Sequence, residues 1–100
     1  MKITIRRSGG FAGPLLNKTF EVQTESMPPR AARRLETLIG AAPLASLRDQ
    51  RFHARTGADL FKYEVNVETA EGPVKFFFDE SAVPSEFKSV WEILQTRMEG

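Results

Sequence analysis

One hundred residues, 41% apolar and 27% charged, with a net charge of +1 and no cysteine, make one small folded domain spanning 1–100. That size leaves one modest core and little room for an enclosed catalytic cleft, and the lack of cysteine excludes a disulfide framework and thiolate chemistry. No apolar run is long enough to span a membrane and Met1-Lys2-Ile3-Thr4-Ile5-Arg6-Arg7 lacks the apolar stretch of a signal peptide, so we read the chain as cytoplasmic.

The charge is unevenly spread. Residues 1–55 hold ten Lys/Arg against four Asp/Glu, a balance of +6, and residues 56–100 hold four against nine, a balance of −5, which together recover +1. Once the halves mix in a fold, such charges are ordinarily solvated. Otherwise they make a basic face and an acidic face.

Ile3 and Ile5 alternate with Lys2, Thr4 and Arg6, the period of a strand with one buried face. Arg7-Ser8-Gly9-Gly10-Phe11-Ala12-Gly13-Pro14 follows, three glycines and a proline around one large aromatic, which reads as an irregular loop. Phe11 has two uses there. It can fold under the sheet and plug the core, since burying the ring stabilises by roughly 2–3 kcal/mol, or it can stand out as an anchor for a partner. Leu16, Phe20 and Val22 share one parity of a second strand, with Lys18 breaking the pattern, and the short connection predicts an antiparallel hairpin.

Pro28-Pro29 ends that strand and opens a helix, in which Ala31, Leu35, Leu38, Ile39 and Ala42 form one stripe. Between 43 and 59, Leu44 and Leu47 are expected to tuck against the core. Arg48, Asp49, Gln50, Arg51, His53 and Arg55 read as a solvated loop, and Gly57-Ala58-Asp59 as a turn. Phe61, Tyr63, Val65 and Val67 give the clearest strand signal in the chain. A turn at Glu71-Gly72 leads to a strand with Val74, Phe76 and Phe78 on one face and Phe77 on the other, where it is either exposed or covered by the preceding loop. Pro84 opens a last helix carrying Phe87, Val90, Trp91, Leu94 and Met98 at core spacing. The order ββαββα has a faint internal echo. It predicts an α+β fold, a four-stranded antiparallel sheet with two helices packed on one face.

The residues offer little for catalysis. His53 is the sole histidine and sits among arginines, which disfavour both the imidazolium and a metal. No His/Cys/carboxylate cluster supplies a zinc site. Asp79-Glu80 fit a turn or helix cap better than an acid–base pair, and Ser8 has no nucleophile elbow around it. The glycines are not followed by the Gly-Lys-Ser/Thr of a phosphate loop. We therefore expect no enzyme, no cofactor and no metal. Arg30, Arg33 and Arg34 with Arg48, Arg51 and Arg55 are candidates for a basic patch, but the domain is nearly neutral and carries no nucleic-acid-binding motif.

Three segments resemble the emfourin family. They are Arg7-Ser8-Gly9-Gly10-Phe11-Ala12-Gly13 after a short opening strand, Asp59-Leu60-Phe61-Lys62-Tyr63-Glu64-Val65 opening the third strand, and the closing helix over 84–94. Emfourin is a bacterial protein inhibitor of protealysin, a thermolysin-like zinc metalloprotease, so the resemblance implies a non-catalytic inhibitor of such an enzyme acting by protein–protein contact. Where the family has an aliphatic residue after Ala12-Gly13, this chain has Pro14, which stiffens the loop exit. Ser8, Gly9, Gly10, Phe11, Ala12 and Gly13 are the candidate protease-binding residues in a domain expected to be monomeric when free. A reading from another class is a non-catalytic adaptor that uses the same loop, or the basic helix, on a different partner.

Overall fold

Alternation decides which side of the sheet is inside. In the computed structural model, which describes residues 1–9, 17–53 and 60–99, Ile3 and Ile5 of β1 (Lys2–Gly9) and Val22 of β2 (Lys18–Gln23) are buried. So are Tyr63, Val65 and Val67 of β4 (Phe61–Thr69) and Val74, Phe76 and Phe78 of β5 (Gly72–Asp79). The register brings these residues side by side. Ile5 lies between Phe20 and Val65, Val65 faces Phe76, and Tyr63 faces Phe78. Paired residues point the same way, so one face of the sheet is a continuous apolar surface.

The α+β class stands, with both helices on that apolar face. The sheet differs from expectation. It has five strands in the order β2-β1-β4-β5-β3, and the fifth, β3 (Arg51–Phe52), runs parallel to β5 opposite Phe77 and Phe78. The backbone draws this piece in. The Asp49 N–H donates to the Lys75 carbonyl at 2.7 Å and the Phe77 N–H donates to the Gln50 carbonyl at 2.9 Å. Asp49 takes a φ of 61° to make the turn, a conformation that Asp tolerates better than most residues. Arg51 is therefore in the sheet and not in a loop, although its side chain is exposed as expected.

α1 (Pro29–Ala41) begins with Pro29 in its first turn, where the missing N–H is no loss. Ala32, Leu35 and Ile39 are its buried residues, and Ala31, Leu38 and the following Ala42 flank them half-buried. Leu44 and Leu47, in a 3-10 turn, are buried as the sequence suggests. The final helix starts later than expected. Pro84 introduces a 3-10 turn, Ser85–Phe87, and α2 (Lys88–Glu99) follows, with Val90, Trp91 and Leu94 buried.

Rings hold α2 to the sheet. Trp91 meets Phe78 edge-on at 5.0 Å and Tyr63 at 4.7 Å, and Phe87 meets Phe76 edge-on at 4.9 Å. Edge-to-face rings gain about 0.5–1.5 kcal/mol per pair beyond their burial. At the opposite end from the glycine loop, the buried Thr24 hydroxyl donates to Glu36 of α1 at 2.8 Å, which ties the end of β2 to the first helix. No helix among the described residues is long and apolar enough to cross a membrane.

Phe78 is 1% exposed and has Tyr63, Phe76, Phe87 and Trp91 as ring neighbours. Phe78→Ala is expected to cost about 3–5 kcal/mol, read as a lower urea midpoint with an unchanged slope.

Candidate functional site

The glycine loop grows from a fixed root. Ser8 pairs with Lys62 and Gly9 with Phe61 at the end of β1. Gly9 has a φ of +84°, and a Cβ there would meet the Leu60 carbonyl oxygen at 3.0 Å. Only glycine combines that dihedral with so close an approach to a neighbouring backbone. The chain returns at Asn17, and Lys18 at the start of β2 lies opposite Arg7. Residues 10–16 thus leave and rejoin neighbouring strand ends. Of the candidate residues, Ser8 and Gly9 are placed at this root. Gly10, Phe11, Ala12 and Gly13 lie outside the described residues, as does the turn expected at Gly57-Ala58-Asp59.

Arg7 has a role the sequence reading missed. It shares the inward parity of Ile3 and Ile5, but its position is the end of the core. Its guanidinium lies 4.6 Å from the centre of the Phe61 ring and 5.5 Å from that of Phe20. Its Nε is buried with no hydrogen-bond partner among the described residues. The cation closes the core with its stem and stacks across the first residue of β4 and the middle of β2. The alternation of Ile3 and Ile5 runs on to Arg7, but the strand order that brings Phe20 and Phe61 to it is not written in the sequence.

Among the described residues no helix covers the outer, largely polar face of the sheet. Thr19, Arg6, Glu64, Phe77 and Arg51 stand in one register row across all five strands. Arg6 and Glu64 approach at 3.7 Å, and the Arg51 guanidinium lies 4.1 Å above the Phe77 ring. Phe77, which the sequence left open between exposure and cover, is half-buried under that cation. Around the row is an open concavity of about 380 Å³, which reaches Ser8 and Asn17 at the root of the glycine loop and the exposed His53.

The remaining candidates have structural employment. The Asp79 carboxylate accepts from the Ser81 N–H at 3.0 Å and from its hydroxyl at 2.8 Å, and Glu80 accepts from the Phe61 N–H at 3.0 Å. They shape the turn after β5 and do not cap a helix. Of the arginines weighed as a basic patch, Arg55 lies outside the described residues, and Arg51 does not join those of α1. Arg30, Arg33 and Arg34 are exposed on α1, whereas Arg51 lies on the far side of the sheet. Among the described residues no group of three His, Cys, Asp or Glu is placed to hold a metal ion.

The chain belongs to the emfourin family, whose family model matches residues 5–95, a span that includes most of β1, all of β2, α1, β3, β4 and β5, and most of α2. The family is one of inhibitor domains directed at proteases, which sets the coarse class of this protein. No curated protein and no solved structure matches the chain.

Gly9→Ala is expected to lower stability by about 1–3 kcal/mol, because any other residue is strained at that φ. Gly40→Ala in α1, where an added Cβ meets nothing within 4 Å, is expected to raise stability by about 0.5–1 kcal/mol. Urea midpoints of the two variants, moving in opposite directions, check both.

Proposed function

We propose that this domain inhibits a thermolysin-like, protealysin-type zinc metalloprotease by placing residues 8–13 in the enzyme's active-site cleft. The observation that carries the reading is the family match over 5–95. The contact is made by Ser8, Gly9, Gly10, Phe11, Ala12 and Gly13. The domain supplies no catalytic group and needs no metal or cofactor of its own. It acts as a monomer.

Strand pairing at Ser8–Gly9 on one side and at Lys18 on the other limits the freedom that residues between them lose on binding. Glycines on both sides of Phe11 let the backbone lie close to the floor of a cleft. Phe11 then enters the pocket beside the scissile-bond position, where thermolysin-like enzymes favour a bulky apolar group. Because the segment is held by its frame, it occupies the cleft in a geometry that does not lead to cleavage, and substrate is excluded.

Incubation of the purified protein with a thermolysin-like protease and a chromogenic peptide tests the class. Dose-dependent loss of cleavage is expected, and its absence would count against the reading. Phe11→Ala tests the loop. As the single aromatic anchor of the contact it is expected to contribute about 2 kcal/mol or more, so the inhibition constant should rise roughly thirtyfold in a variant whose circular dichroism is unchanged. An unchanged constant in a folded variant would remove the loop from the mechanism.

A further inference from the structure

We propose that the concavity on the outer sheet face is a second docking surface, which takes a carboxylate-bearing, acidic segment of the protein partner. The partner's identity as the inhibited protease rests on the function proposed above; the surface itself rests on its own geometry. Arg51 is the centre of the argument. Its guanidinium lies over Phe77 at 4.1 Å, and no carboxylate among the described residues is within ion-pair distance of it. A guanidinium stacked on a ring keeps its N–H donors at its rim. It is held in one orientation, ready for a two-point hydrogen bond to a carboxylate.

The neighbours supply more positive charge than negative. Lys62 is exposed in the next register row and makes no ion pair with a described residue. Arg6 keeps two-thirds of its side chain exposed despite Glu64 at 3.7 Å. His53 adds a further donor at the end of the hollow. The hollow's own carboxylates are Glu64, which Arg6 already faces, and Asp79, which lies buried opposite Lys62 and accepts two bonds from Ser81. An incoming Asp or Glu between Arg51 and Lys62 meets two exposed cations beside a half-buried aromatic ring. This mixture suits a protein segment better than a nucleic-acid backbone. Glu21 and Glu64 share the outer face and repel a run of phosphates, while Phe77 offers an apolar contact that a phosphate cannot use.

Position joins this surface to the loop. The hollow is lined at one end by Ser8 and Asn17, the residues that flank the 10–16 segment. A partner that engages Ser8 at the end of β1 lies beside the hollow. Rim cations of this kind act chiefly on the association rate, and salt weakens them.

The surface is tested without the protease first. Titrating 15N-labelled protein with hexaglutamate should shift the amides of Arg6, Arg51, Lys62 and Phe77, and Arg51→Glu/Lys62→Glu should abolish those shifts. Both positions are exposed, and retained amide dispersion elsewhere would show that the double variant is folded. Hexalysine and a single-stranded oligonucleotide are the controls. No shift with hexaglutamate, equal shifts in the variant, or stronger binding of the oligonucleotide at the same residues would overturn the proposal.

The protease assay forms the second arm. Arg51→Glu/Lys62→Glu should slow association roughly tenfold at low salt and lose most of the wild-type salt dependence, while Arg51→Lys/Lys62→Arg should associate nearly as fast as wild type. If the wild type inhibits and the charge-reversed protein associates at the same rate, the docking surface fails and the inhibitor reading survives. If hexaglutamate binds but the wild type does not inhibit, the inhibitor reading fails and the carboxylate surface stands.

Discussion

The seating of Trp91 against Phe78 and Tyr63 is the contact on which the rest of the molecule depends. It joins the last helix to the two longest-paired strands and fixes which sheet face is inside. With Tyr63, Phe76 and Phe78 committed to that side, a one-residue slip of β5 would bring Lys75 and Phe77 under the helix and put Phe76 in water. The register of the central hairpin is therefore enforced by side chains well away from its turn. A single helical layer consumes all the apolar surface on one side, and the opposite side is left free of helices.

The two ends of the sheet are finished differently. At one end Thr24 bonds to Glu36, and the Met1 amine pairs with Glu25, which raises the amine's pKa above its ordinary value and lowers that of the carboxyl. That end is closed by polar contacts to α1 and to the start of the chain. At the other end stand a stacked arginine and, closing β1, a glycine in the left-handed region.

The elements that could be read in the sequence are those with a long period. Phe61, Tyr63, Val65 and Val67 show a two-residue alternation, and three of the four proved buried, with Phe61 half-buried at the strand's start. β3 had no such signal. Two residues cannot display a period, and Arg51–Phe52 joins the sheet through backbone bonds made by Asp49, Gln50 and β5, which no side-chain pattern records. The start of α2 was misplaced for a related reason. Pro84 does begin a helical turn, but the first turn is 3-10, so the α-helix proper starts at Lys88. Of the candidate site, the glycine at position 9 was legible because its chemistry is local. The stack of Arg7 on Phe20 and Phe61 was not, because it joins three strands whose order the sequence does not state.

The short parallel strand has a consequence for how copies of this molecule meet. It pairs with β5 at Phe77 and Phe78, and Asp49 adds a bond to Lys75, so it covers the outer border of the second half of that strand. β2 remains as the open border. Backbone pairing with another chain therefore has its longest run of free partners along β2, whose outer N–H and C=O groups no described strand meets.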